Sequence, residues 1–258
     1  MPSGKKSKQQ RRAASGGRPP PPVRSKGGSS TPSGFSRRTW LIVAVVVLVA
    51  GFGIGLGVAV SGGGSSNTQT GSTNFVSPPP LGPAGPEGPP LETGPNLAPA
   101  ASPAPGQTVD GIECQLNEQV AFHIHSRLTI FVNGKPEKVP YGVGIANPKL
   151  DPGSAVPFVG GGDCFSWLHT HAADGVIHIE SPTQRTYTLG NFFDIWSQPL
   201  SSTQVGPAKG KVTALVDGKV WTGDPRDIPM HEHTQIQLDV GHPLVGAVNI
   251  PSSSWGQL

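Results

Sequence analysis

The chain has 258 residues, 35% hydrophobic and 14% charged, with 36 glycines, 29 prolines and a formal net charge of +3. Residues 1–39 carry ten Lys/Arg and no acid, 40–60 carry no charge, 61–109 carry only Glu87 and Glu92, and 110–258 hold nine Lys/Arg against fourteen Asp/Glu. This asymmetry excludes a single soluble globular unit of full length, and a basic end without a fold or aromatic platforms excludes a nucleic-acid-binding domain.

The basic segment 1–39 has almost nothing apolar to bury and reads as a disordered cytoplasmic tail. Trp40 to Val60 (WLIVAVVVLVAGFGIGLGVAV) is 21 residues without a charge. A helix of that length reaches about 31 Å, enough for a bilayer core of roughly 30 Å. It is longer than the h-region of a cleaved signal, so it reads as an uncleaved anchor in the cell membrane. Ten preceding cations put the N-terminus in the cytoplasm and the rest of the chain outside. The small-xxx-small spacings Gly51/Gly55 and Gly53/Gly57 allow two such helices to approach as a homodimer.

Residues 61–109 contain eleven prolines and nine glycines and read as an extended linker. Within it, Gly82 to Pro90 (GPAGPEGPP) has three Gly-X-Y triplets, too few for a collagen triple helix. The remaining segment, 110–258, is long enough for one domain with a sizeable core. Its short Val/Ile/Thr/aromatic runs, broken by Asn-Gly, Asp-Gly and Gly-Gly, predict a mostly β ectodomain, a hairpin-built sandwich or barrel with one short helix.

The first run alternates Val120, Phe122, Ile124, Leu128, Ile130 and Val132, facing the core, with His123, His125, Arg127 and Thr129 on the other side, and ends at Asn133-Gly134. A second hairpin turns at Asp217-Gly218, and a third strand covers 231–240 (HEHTQIQLDV), echoing the start of HIHSRLTIFV. Phe192, Ile195 and Trp196, at helical spacing, predict the helix over 190–197, capped by Asn191 and stopped by Pro199.

All eight histidines lie in this last segment, six of them as the H-x-H pairs His123/His125, His169/His171 and His231/His233. Residues two apart on a strand project from one face, so each pair offers two imidazoles to one ion. The stretch 164–180 (CFSWLHTHAADGVIHIE) adds His178 and Glu180 on a return strand after Asp174-Gly175. We expect one transition-metal site, Cu or Zn, formed by His123, His125, His169 and His171. His178 or His233 completes or flanks it, and Asp174 and Glu180 serve as ligand, support or base. His242, in a Gly-His-Pro turn, reads as a surface residue, and His231 is open to either reading.

Cys114 and Cys164 are the only cysteines. An even count in an exported domain predicts a disulfide, which would tie the first two histidine segments side by side; a Cys/His metal site is the alternative.

Phe122-His123-Ile124-His125 resembles the copper-ligand strand of copper/zinc superoxide dismutases, exported β-sandwiches with a disulfide. The match is confined to those four residues, with no bridging-histidine segment and no late Gly-rich Cys/Arg stretch. Cupins also use H-x-H, but the nearest Glu after His171 is Glu180, which departs from their spacing. FHIHSRLTIFVNG, CFSWLHTH, GVIHIESP and TLGNFFDIW together resemble uncharacterised membrane-anchored or secreted bacterial proteins over roughly 112–241, and imply no activity.

G-x-S-x-G, P-loop, Rossmann and H-E-x-x-H motifs are all missing from the sequence. The expected function is therefore an anchored extracytoplasmic metal-binding domain. A redox or hydrolytic metalloenzyme and an interaction module without metal are the alternatives.

Overall fold

Alternation in FHIHSRLTIFV builds the strand Phe122–Val132, the centre of a seven-stranded sheet. The computed structural model describes residues 75–256 and Leu258. The tail, the membrane span and the Gly51/Gly55 and Gly53/Gly57 contact expected before residue 61 lie outside the described residues. Among the described residues, no helix is long and apolar enough to cross a membrane.

The strand order is Leu168–His169, Val176–Ser181, Phe122–Val132, Thr234–Val240, Val212–Val216, Lys219–Val220, with Lys135–Glu137 also paired to the central strand. Two of the expected hairpins form: Asn133/Gly134 and Asp217/Gly218 all have φ between 49° and 77°. Positive φ at both central residues is the turn that matches strand twist. The domain is thus mostly β with a single α-helix among the described residues.

One pairing departs from hairpin logic. Thr234–Val240 runs parallel to the central strand, with Thr234 opposite Ser126 and Val240 opposite Val132. Of the HIHS and HEHT echo, only Ser126 and Thr234 pair across adjacent strands, because His231 to His233 precede the strand.

Leu128, Ile130, Ile177, Ile179, Ile236 and Leu238 share the inward face and join one buried cluster. Val120, expected to join them, precedes the strand and is exposed. The helix spans Leu189–Ile195, and Leu189, Phe192, Phe193, Ile195 and Trp196 are all buried in that cluster. Its N-cap is Thr188, not Asn191; Asn191 sits at the third helical position, where its Oδ1 accepts the Thr188 N–H at 3.0 Å.

Cys114 and Cys164 are disulfide-bonded, with Cα atoms 5.4 Å apart, which removes both as metal ligands. The bond joins the strands Ile112–Gln115 and Cys164–Ser166 of a smaller sheet. It does not set the first two histidine segments side by side, because Val176–Ser181 is inserted between them.

The extended linker expected over 61–109 is not extended from residue 75 onward. Leu97 and Ala98 are buried in the main cluster. Leu97 N–H donates to the Lys138 carbonyl at 3.0 Å, Lys138 N–H returns to Pro95 at 2.7 Å, and Glu92 N–H reaches Ala173 at 2.9 Å. The collagen-like Gly82–Pro90 stretch folds on itself, with Gly85 N–H on Pro89 O at 2.7 Å and Leu91 N–H on Pro83 O at 2.8 Å.

The physical reason is that this segment builds no core of its own but lies on a surface the sheet supplies. Its earlier part, with Glu87 and Glu92, covers the sheet's polar face together with the C-terminal residues, while Leu97 and Ala98 pack on the apolar face. Sheet side chains satisfy the covering backbone: Asp239 accepts Val245 N–H at 3.0 Å, Gln237 accepts Val248 N–H at 2.8 Å, and Gln235 accepts Ile250 N–H.

Leu97→Ala tests this integration. We expect it to lower the unfolding free energy of the full-length chain by about 2–4 kcal/mol in denaturant titrations, as for a buried leucine. A residue on a free spacer would change it by less than about 0.5 kcal/mol.

Candidate metal centre

Strand register gathers the histidines. On one side of Val176–Ser181, His178 lies opposite His125 and Glu180 opposite His123; on its other side His169 lies opposite His178. Side chains alternate with a period of two, so all five project from the same face. Adjacent strands are about 4.8 Å apart, so the rings meet. Ring centroids of His125 and His178 are 4.6 Å apart, and those of His169 and His178 are 5.4 Å apart.

His171 lies beyond the strand but is returned to the same place. Thr170 between the two histidines is pinned, its N–H on Val143 O at 3.0 Å and its hydroxyl on Pro140 O at 2.8 Å. The chain then reverses at Gly175, whose φ of +78° and contact with the Leu128 carbonyl leave no room for a Cβ.

Each of the first two H-x-H pairs is pinched at its tips. His123 Nε2 and His125 Nε2 are 3.0 Å apart, as are His169 Nε2 and His171 Nε2. Two nitrogens on one ion at about 2.0–2.1 Å stand about 2.9 Å apart at a right angle and about 3.3 Å apart at a tetrahedral angle. The observed separations match the spacing of two donors on one ion.

Protonation sharpens this for the second pair. His169 Nδ1 faces Ser166 O at 2.8 Å and His171 Nδ1 faces Val159 O at 2.5 Å. A carbonyl only accepts, so both Nδ1 atoms carry the hydrogen and the neutral rings aim two Nε2 lone pairs at each other. A third proton between them is disfavoured, because burial pushes the pKa of both His169 and His171 down. A cation bound between them would resolve the opposition. Burial, then the charge of His178, likewise lowers His125 to about 2.

Three carboxylates enclose the imidazoles. Glu180 Oε1 is 3.1 Å from His123 Nε2 and 3.4 Å from His178 Nδ1, and its Oε2 is buried without a hydrogen-bond partner. Glu87 lies 3.3 Å from His178 Nε2, and Glu118 Oε1 lies 3.4 Å from His171 Nε2. Burial opposes a charge on His178, but its bonds to Glu180 and Glu87 prevail and raise it to about 9. Burial and the Glu180 charge raise Glu118.

Glu87 and Glu118 were missed in the sequence. The available signal was Glu87's isolation, one of two charges in a Pro/Gly-rich segment of 49 residues. The folded Gly82–Pro90 loop is what carries it to His178.

The donors do not form the single four-histidine site expected. They sort into two overlapping groups, His123/His125/His178/Glu180 and His169/His171/His178/Glu180. These are groups that could hold a metal ion, and His178 and Glu180 belong to both.

His233 lies in neither group. His231-Glu232-His233 is a turn rather than a strand, and His233 has φ +58°. The pair therefore does not project together. His233 stacks on Trp255 at 4.3 Å and contacts Glu232 and the Leu258 carbonyl. His231 and His242 stay exposed. Asp174 is buried but outside both groups, and its Oδ1 accepts the Val176 N–H at 3.0 Å, bracing the turn.

No protein-family model, curated protein or solved structure matches the chain, so the chemistry is read from the site itself.

Next to the centre on the same face is a second buried polar layer. Arg127 Nε–H donates to Asp174 O at 3.0 Å, and Glu92 Oε2 accepts Val139 N–H at 3.0 Å, with its Oε1 3.9 Å from the Arg127 guanidinium. Burial outweighs the attraction to Arg127 and raises the Glu92 pKa to about 7.

A carboxyl whose pKa is raised in the folded state binds its proton more tightly there than in the unfolded chain. Its stabilising share is therefore fully present below about pH 4.5 and is lost as pH rises towards 7. The loss is on the order of 3 kcal/mol. We expect Glu92→Gln to remove this slope. Denaturant titrations of both proteins at pH 4.5 and pH 7.5 check it: the wild type should lose more stability than the variant over that interval.

Proposed function

We propose that this chain is a membrane-anchored, extracytoplasmic domain that binds a transition metal, Zn2+ or Cu2+, through its clustered histidines and glutamates. The observation that carries the reading is the His169/His171 pair, with both Nδ1–H groups committed to backbone carbonyls and the Nε2 atoms 3.0 Å apart. Imidazole and carboxylate donors suit Zn2+ and Cu2+. Thiolate-dependent Cu+ binding is disfavoured, because both cysteines are consumed in the disulfide.

Anchoring rests on the uncharged Trp40–Val60 segment behind ten cations. The Cys114–Cys164 bond supports an oxidising compartment. Two measurements test it. The chain should stay with membranes after alkaline extraction, and protease added to intact cells should digest the domain from outside. Release by alkali, or protection of the domain in intact cells, overturns this part.

For metal binding, Zn2+ or Cu2+ at 100 times its dissociation constant should stabilise the metal-stripped full-length chain by about 2.7 kcal/mol, a melting-temperature rise of roughly 5–10 °C. His169→Ala combined with His171→Ala should reduce that rise. A wild-type melting temperature indifferent to both metals overturns the reading.

A second reading, a hydrolytic or redox metalloenzyme, is favoured by the cleft of about 360 Å³ over the centre, on which Glu118, His123 and His171 border. Glu118 is half-exposed and adjacent to His171, placed to take a proton from a metal-bound water. Bound Cu2+ that strongly enhances water-proton relaxation supports this reading. A centre saturated by protein donors, with no exchanging water, argues for binding alone.

A further inference from the structure

We propose that the centre holds two metal ions per chain. The first is bound by His123 Nε2, His125 Nε2 and Glu180 Oε1, the second by His169 Nε2, His171 Nε2 and Glu118 Oε1, with His178 between them. This rests on the metal-binding reading above and goes beyond it in stoichiometry, ligand assignment and the role of Glu118.

Reach decides the number. An ion at about 2.0–2.1 Å from its donors touches only donors within about 4.2 Å of one another. In the first trio, His123 Nε2 is 3.0 Å from His125 Nε2 and 3.1 Å from Glu180 Oε1. In the second, His171 Nε2 is 3.0 Å from His169 Nε2 and 3.4 Å from Glu118 Oε1, and His169 Nε2 is 4.0 Å from the same oxygen. Glu180 thus closes the first trio and Glu118 the second, although Glu180 also lies within 4.8 Å of the second pair. The sets of donors in mutual reach contain one H-x-H pair or the other, never both.

A single ion would therefore leave one pair unused. An ion on the first pair alone would leave His169 and His171 with two Nε2 lone pairs opposed at 3.0 Å in a buried site. Five imidazoles and three carboxylates also exceed the four donors that a Zn2+ ion takes.

His178 stands between the two pairs. Its ring centroid is 4.6 Å from those of both His125 and His171. Its Nε2 bonds Glu87 at 3.3 Å, while its buried Nδ1 lies 3.4 Å from Glu180 Oε1 without a hydrogen-bond partner. Glu180 Oε2, buried and without a hydrogen-bond partner, offers a further donor on the same side.

The test is a count. The metal-stripped full-length chain is loaded with Zn2+, freed of excess by gel filtration, and measured for metal per chain. We expect two ions in the wild type. His123→Ala with His125→Ala should leave one, and so should His169→Ala with His171→Ala. One ion in the wild type overturns the proposal while leaving metal binding intact, whereas no ion overturns both.

Should either double variant fail to fold, Glu118→Gln serves instead, since Glu118 is a half-exposed side chain. In a Zn2+ titration it should weaken one of two phases by at least about tenfold and leave the other in place. A single phase, or equal weakening of both phases, overturns the proposal.

Discussion

The antiparallel register of Val176–Ser181 against Phe122–Val132 is the constraint on which the rest of the molecule depends. It sets His178 beside His125 and Glu180 beside His123, and the next strand then sets His169 beside His178. Side chains alternate, so a slip of Val176–Ser181 by one residue would turn His178 and Glu180 into the hydrophobic cluster. Ile177 and Ile179 hold the register from behind, buried in that cluster with Leu128 and Ile130. The apolar face locates the polar one.

That arrangement concentrates polar groups on the other face of a central sheet, where leaving them half-solvated or sealing them without partners would be costly. Near the centre, imidazoles and carboxylates answer one another: Glu87 and Glu180 embrace His178. Farther along, Arg127 lies beside Glu92, while Gln235, Gln237 and Asp239 bind the backbone of the C-terminal residues. The Cys114–Cys164 bond joins the strands that lead into the two histidine segments.

Much of this was legible locally. FHIHSRLTIFV shows its strand through a period of two, and Asn133-Gly134 and Asp217-Gly218 show their turns because few residues accept positive φ. The aromatic spacing of the helix was legible for the same reason, although its cap fell on Thr188 instead of Asn191. The H-x-H pattern was only half informative. At 123–125 it lies on a strand and aims two rings together, while at 231–233 the same pattern is a turn that sends His233 against Trp255. Imidazole spacing along the chain does not specify backbone conformation, and the neighbouring residues of the turn decided it.

The sequence by itself determined a β-rich domain, its hairpin turns, its cysteine pair, and a concentration of histidines chemically suited to a transition metal. Those features follow from periodicity, turn chemistry and residue type, all of which act within a few residues. Only the tertiary structure decided that the Pro/Gly-rich residues after 75 belong to the fold, that Glu87 and Glu118 join the histidines, and that His178 stands between two pairs instead of beside one. Each of these depends on contacts across long sequence separations, such as the 91 residues between Glu87 and His178. Local spacing carries no record of which strand will lie next to which.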